Sequence, residues 1–133
     1  MLELAVDNGA SEILIYEEMV KSVAIEEGEA SKRGVEYEVA NGVRIPNLGE
    51  KKFTGSSEGG VKRTLTAQVC DVNKALLSVR KVVAAGNRVV FDDAGSFIED
   101  KRTGKRMWLQ EENRMCMLKM WVPKPAASFQ RQG

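Results

Sequence analysis

The 133 residues carry a formal net charge of +1, with 43% hydrophobic and 29% charged residues. That length and balance describe one globular domain able to bury a core without metal or disulfide staples, with no global field aimed at nucleic acid or a membrane surface. No stretch approaches the roughly 18 apolar residues needed to span a bilayer. Charge also arrives too early in Met1–Asp7 for a secretory leader, so an intracellular chain, or a piece of a longer protein, is expected.

Leu2 to Val6 is a short apolar run and predicts a strand, followed by the turn-forming cluster Asp7-Asn8-Gly9-Ala10-Ser11. Ile13 to Tyr16 predicts a second strand and Glu17 to Val20 a helical turn. Glu26 to Gly34 is charged and glycine-punctuated and reads as an exposed loop. Val35 to Val39 and Val43 to Ile45 alternate apolar and polar residues around Asn41-Gly42, a strong short-range hairpin signal, with Pro46 closing the second strand. Lys51 to Thr54 predicts a strand, Ser56 to Gly60 a turn, and Leu65 to Val72 a longer strand.

Lys74 to Ala85 has near-helical apolar spacing at Leu76, Leu77, Val79, Val82 and Val83, with Asn73 placed to cap its start and Gly86 its end. Arg88 to Phe91, the turn Asp92 to Gly95, and Ser96 to Asp100 predict a further hairpin. Met107 to Leu109 and Arg114 to Val122 predict the last strands, and residues 123–133, with two prolines and few apolar side chains, a flexible tail. The total is a mostly-β domain, barrel-like or sandwich-like, with one short helix.

The composition narrows the chemistry. There is no histidine, which removes Ser-His-Asp and Cys-His triads and every His-based metal site. Cys70 and Cys116 are too few and too far apart for a zinc site and read as small core hydrophobes. Glu17-Glu18, Glu26-Glu27 and Asp92-Asp93 read as solvated loop carboxylates, and no metal or cofactor is expected. The basic residues Lys101, Arg102, Lys105 and Arg106 near Trp108 offer too few phosphate contacts to predict a nucleic-acid site. The strongest local signal is Asp7 at a strand end, followed by Asn8, Gly9, Ala10 and Ser11. Read by itself, the cluster fits a plain β-turn as well as a carboxylate held at a strand end by a backbone N–H.

Val6 to Ser11 resembles the Asp-Ser/Thr-Gly-Ala signature of aspartic proteases. Asn73 to Val83, then Gly86 to Phe91, resemble the Asn-Leu-Leu-Ser-Val and Gly-Tyr-x-Val-x-Phe segments of copia-type retrotransposon proteases. Gly95-Ser96, Ile98, Asp100, Thr103-Gly104-Lys105 and Leu118 continue that likeness, and Asn41 to Gly49 is similar to the family's Gly-x-Gly-x-x-Ile-Pro-x-x-Gly. The resemblance covers about residues 2 to 122 in order. It implies a retropepsin-like closed β-barrel over residues 1–122, active as a homodimer in which each copy contributes one aspartate to a dyad.

On that reading Asp7 is catalytic, and Asn8, Gly9, Ala10 and Ser11 form the active-site loop. Ala40, Asn41, Gly42 and Val43 are the candidate flap, and Leu76, Leu77 and Ser78 belong to the helix behind the site. The substrate would be a peptide or the retroelement polyprotein itself, cut in the cytoplasm or within a virus-like particle, with Phe129-Gln130 a conceivable self-cleavage junction. Trp121 is a candidate apolar anchor for the dimer. Asn8 stands where the family carries serine or threonine, so the alternative is a catalytically silent fold kept as a dimerisation or binding module. A small β-domain unrelated to proteases is the third possibility.

Overall fold

A computed structural model of the chain describes residues 1–38 and 42–122. Its elements in order are β1 (Leu2–Asp7), β2 (Leu14–Ile15), α1 (Glu29–Lys32), β3 (Glu36–Glu38), β4 (Arg44–Pro46), β5 (Gly49–Ser57), β6 (Lys62–Val69), β7 (Leu76–Ser78), α2 (Val79–Ala84), β8 (Asn87–Val90), β9 (Phe97–Asp100), β10 (Arg106–Trp108), β11 (Gln110–Glu112) and β12 (Met115–Trp121). The domain is mostly β, as the sequence predicts. None of the helices among the described residues is long and apolar enough to cross a membrane.

The main sheet runs β1-β7-β2-β6-β5-β12, and β12 pairs back onto β1, so these strands close into a ring, with β11 attached to β12. Closure uses an antiparallel register of Leu2 with Met120 and Leu4 with Leu118. All four side chains are buried, because the period-2 alternation of β1 and β12 points them to one side. β5 alternates most regularly. Gly49, Lys51, Phe53, Gly55 and Ser57 face inward, while Lys52 and Thr54 face solvent. Gly55 makes room for the ring closure, since a Cβ there would meet Met120 Cε at 3.2 Å. The core joins Leu4, Ile15, Phe53, Val69, Leu77, Leu118 and Met120. Each such apolar side chain contributes roughly 1.5–3 kcal/mol by leaving water.

A three-stranded antiparallel sheet, β10-β9-β8, adds a second layer. Its Val89, Ile98 and Met107 stand in cross-strand register and pack on the core. β3 and β4 form a separate two-stranded hairpin in the register Tyr37 with Ile45. That hairpin is the one the Asn41-Gly42 signal predicts. Its tip, including Ala40 and Asn41, lies outside the described residues, as does the 123–133 segment with Phe129 and Gln130.

Several expectations are corrected. The Lys74–Ala85 segment is not one helix: Leu76, Leu77 and Ser78 are strand β7, and only Val79–Ala84 is helical. Non-local pairing explains this, because β7 is hydrogen-bonded to β1 on one side and β2 on the other, which overrides local helix propensity. Ser78, not Asn73, caps the helix, its hydroxyl accepting from Lys81 N–H at 3.2 Å. Gly86, with φ +94°, ends it as predicted. The Glu26–Gly34 segment holds the four-residue helix α1, giving a second short helix. Ser56 and Ser57 extend β5 rather than forming the turn, and Glu17–Val20 makes hydrogen-bonded turns rather than helix. β11 was absent from the sequence-based prediction. It forms a hairpin with β12 through Asn113 and Arg114, both at positive φ (51° and 66°), which matches the right-handed strand twist. Cys70 is buried, but Cys116 is only half-buried.

Candidate functional site

Asp7 is the last residue of β1, and its register partner in the parallel strand β7 is Ser78. β7 lies between β1 and β2, so the loop from Asn8 to Ile13 must cross over the end of an intervening strand. That topology gives the loop a fixed base on three strands. Asp7 is half-buried, Asn8, Gly9 and Ser11 are exposed, and Ala10 is half-buried.

The loop is held by three hydrogen bonds and an ion pair. Gly9 N–H donates to Asp7 Oδ1 at 2.7 Å, the backbone-to-carboxylate bond that the sequence motif suggests. A Cβ at Gly9 would lie 3.4 Å from the same oxygen, an ordinary contact, so space alone does not demand glycine here. Ser78 Oγ, in a fully buried side chain, donates to Ala10 O at 2.7 Å. One hydroxyl thus ties the loop crown to the start of α2. Gln68 N–H closes the far end on Ile13 O at 2.7 Å. Lys81 and Glu12 add a partly exposed ion pair at 3.4 Å, a small contribution.

The structure therefore brings Asp7, Asn8, Gly9, Ala10 and Ser11 together with Leu76, Leu77 and Ser78, though the last three come as strand. Among the described residues no hydrogen bond joins the β3–β4 hairpin to that loop. Gly42 is exposed at φ +73°, and Val43 is 54% exposed. The hairpin base reaches the end of the loop through Gln68, whose side chain accepts from Asn47 and whose N–H donates to Ile13 O. The Tyr37 hydroxyl is pushed above the usual phenol range first by burial, opposed by a hydrogen bond from Asn47, and further raised by the Glu12 carboxylate and by Cys70. A cleft of about 510 Å³ lies beside the loop, lined by Glu12, Ile13, Leu77, Lys81 and Arg63 among others, and Asp7 is not among its lining residues.

Two polar centres escaped the sequence reading. Asn47 is buried at the hairpin base. Its amide donates to Tyr37 Oη at 2.9 Å and Gln68 Oε1 at 2.8 Å, and its carbonyl accepts from Gly49 N–H at 2.8 Å. The hairpin thus stands on a buried polar pivot rather than on apolar packing. Lys51 is 3% exposed, and its ammonium donates to the carbonyls of Glu17 (3.1 Å), Met19 (2.9 Å) and Val20 (3.1 Å). Burial lowers its pKa from the ordinary lysine value, while Glu17 and Glu18 pull the other way. Val20 sits at φ 54°, a strained position for a β-branched residue, and its carbonyl is one of those Lys51 holds. The signal for Lys51 was present: it shares inward parity with Phe53. Asn47 had no comparable periodic signature.

The other sequence candidates are peripheral. Glu17, Glu18, Glu26, Glu27, Asp92 and Asp93 are all exposed, and no group of carboxylates and cysteines among the described residues is arranged to hold a metal. Trp121 is 43% exposed on β12. No protein-family model, no curated protein and no solved structure matches this chain, so the site stands on its own geometry.

Proposed function

We propose that the chain is a retropepsin-like aspartic endopeptidase that acts as a homodimer on a retroelement polyprotein or peptide, with Asp7 supplying one carboxylate per copy. The observation that carries this reading is Asp7 at the end of β1, with its loop crossing β7 and pinned by Ser78. The loop is anchored from beneath while Asp7 stays half-buried at its rim. Asp7 Oδ1 is oriented by Gly9 N–H, which leaves Oδ2 for a partner. The closing ring of β1, β7, β2, β6, β5 and β12 suits a closed-barrel reading of the domain.

A single copy has one such carboxylate, and Asp7 does not line the cleft beside its loop, so a second copy would complete the groove. In the dimer the two Asp7 carboxylates would share one proton, since like charges in contact do not both ionise. Aspartic proteases are the standard instance of this. The ionised member would take a proton from a water as it attacks the peptide carbonyl, and the protonated member would polarise that carbonyl. The pair, rather than either residue, would own the apparent pKa values. The β3–β4 hairpin would cover the peptide, turning on Asn47.

A second reading rests on Asn8. It is exposed and makes no side-chain hydrogen bond among the described residues, where the resembled family uses a hydroxyl to lock two loops across the dimer axis. The chain would then be a catalytically silent dimerisation or binding module. Peptide-library cleavage at mildly acidic pH separates the two. Wild type should cut and Asp7→Asn should not. If neither cuts at concentrations where sedimentation shows a dimer, the silent module is the reading that stands.

A further inference from the structure

Among the described residues, the β8–β9–β10 sheet has a free edge at β10. Asp100 N–H donates to Lys105 O, and Leu109 N–H donates to Ser96 O. Antiparallel ladders alternate bonded and non-bonded pairs, so with the register Met107 to Ile98, the N–H and C=O of Met107 point at β9. Those of Arg106 and Trp108 therefore point away from the sheet, and among the described residues they have no backbone partner. Two donors and two acceptors are left on a strand that ends its sheet.

The side chains beside this edge form a platform. Val90, Phe97 and Trp108 stand in one cross-strand row, and Arg88, Glu99 and Arg106 in the next. Trp108 is 56% exposed. One part of its ring rests on Gly95, where a Cβ would come within 2.9 Å of Cζ3, and it meets Phe97 at 5.0 Å between centroids. Arg106 stacks over Phe97 at 4.0 Å and is paired with Glu99 at 2.7 Å. Glu99 also takes Arg88 at 3.0 Å, so the two guanidinium groups of this row share one carboxylate and the row keeps a single positive charge. Beyond it, at the β9–β10 turn, Lys101, Arg102 and Lys105 are exposed with no carboxylate in salt-bridge range among the described residues. Asp92 and Asp93 lie at the opposite turn.

We propose that the β10 edge captures an extended peptide segment as a fourth strand, with an apolar or aromatic residue over Trp108 and acidic residues running towards Lys101, Arg102 and Lys105. Backbone pairing supplies the docking, and the basic turn supplies direction and sign. This site is separate from the Asp7 loop and does not depend on its chemistry. The occupant this chemistry fits is an acidic, unstructured segment of a separate partner protein.

The test uses the whole chain with a defined probe, acetyl-Phe-Thr-Glu-Thr-Glu-amide, followed by amide and indole NMR shifts. Added antiparallel, its phenylalanine falls opposite Trp108 and its first glutamate opposite Arg106. The expected result is saturable movement of the Arg106 and Trp108 amides and the Trp108 indole. Binding should be about tenfold weaker for Trp108→Ala, for the probe with both glutamates replaced by lysine, and for a probe N-methylated at its first glutamate, each a loss of about 1.4 kcal/mol. Arg102→Glu, at an exposed turn, should weaken binding without disturbing the fold and keeps the test valid if Trp108→Ala unfolds. No movement at Arg106 and Trp108 overturns the proposal, as does equal binding of the lysine probe. Tighter binding of a thymidine oligonucleotide would assign the platform to nucleic acid instead. Shifts that depend on protein concentration alone would assign the edge to a second copy.

Discussion

Ser78→Ala tests the link between β7 and the Asp7 loop most directly. The change removes one oxygen from a fully buried position, and with it two hydrogen bonds: the cap to Lys81 N–H at 3.2 Å and the donation to Ala10 O at 2.7 Å. A lost serine cap costs about 1 kcal/mol, and a half-buried carbonyl left without its donor costs about 1 kcal/mol more. The expected loss is therefore about 2 kcal/mol, roughly a thirty-fold shift in the folded-to-unfolded ratio. Urea unfolding should show a lower midpoint with an unchanged slope. Hydrogen exchange at Gly9 through Glu12 should quicken more than at β5 and β6, because the loop loses its buried tie to the start of α2 and keeps only the partly exposed Lys81–Glu12 pair among the described residues. If cleavage occurs in the wild type, the variant should lower kcat more than it raises KM. A stability within about 0.5 kcal/mol of wild type, with loop exchange unchanged, would refute the claim that this hydroxyl positions the loop.

Three further outcomes are expected. Lys51→Met should cost about 3 kcal/mol in chemical denaturation, since it strips charge-assisted donors from three carbonyls while recovering the cost of burying the charge; a neutral or stabilising result would mean the carbonyls find other partners. Cys70 is inaccessible, and burial first, then the Asp71 charge, pushes its pKa up to about 11, so iodoacetamide at pH 8 should label Cys116 and spare Cys70 in peptide mapping of the native protein. Glu99 is held below the usual carboxylate range first by its hydrogen bond from Arg106, and Asp100 first by the Arg102 backbone N–H. Both folded pKa values lie below the unfolded ones, so their stabilisation is complete above the unfolded range of about pH 4 and is lost as pH falls through the folded values. NMR signals of Val89, Ile98 and Met107 should hold from pH 7 to 5 and weaken at more acidic pH, an effect that Glu99→Gln with Asp100→Asn should blunt.

Much of the element list was legible because it rests on local pattern. The apolar run of β1, the alternation in β3, β4 and β12 and the turn chemistry at Asp92–Gly95 depend only on neighbours in sequence. The errors came where partners lie far away. Leu76-Leu77-Ser78 has the spacing of a helix, yet it sits between β1 and β2 and is extended, because two ladders outweigh a weak local preference. β11 was hidden because Asn113-Arg114 is not the Asn-Gly pair that usually marks such a turn, although both residues take positive φ.

By itself, then, the sequence determined a mostly-β chain, without histidine, with a carboxylate at a strand end followed by a tight turn. Tertiary structure alone decided that β12 returns to close the ring on β1, that Ser78 reaches across to Ala10, and that a lysine in β5 is buried against the turn of Glu17 to Val20. The reason is physical. Periodicity records which side of an element avoids water, but a hydrogen bond between residues 68 positions apart is a property of the packed chain, and only the fold brings its two ends together.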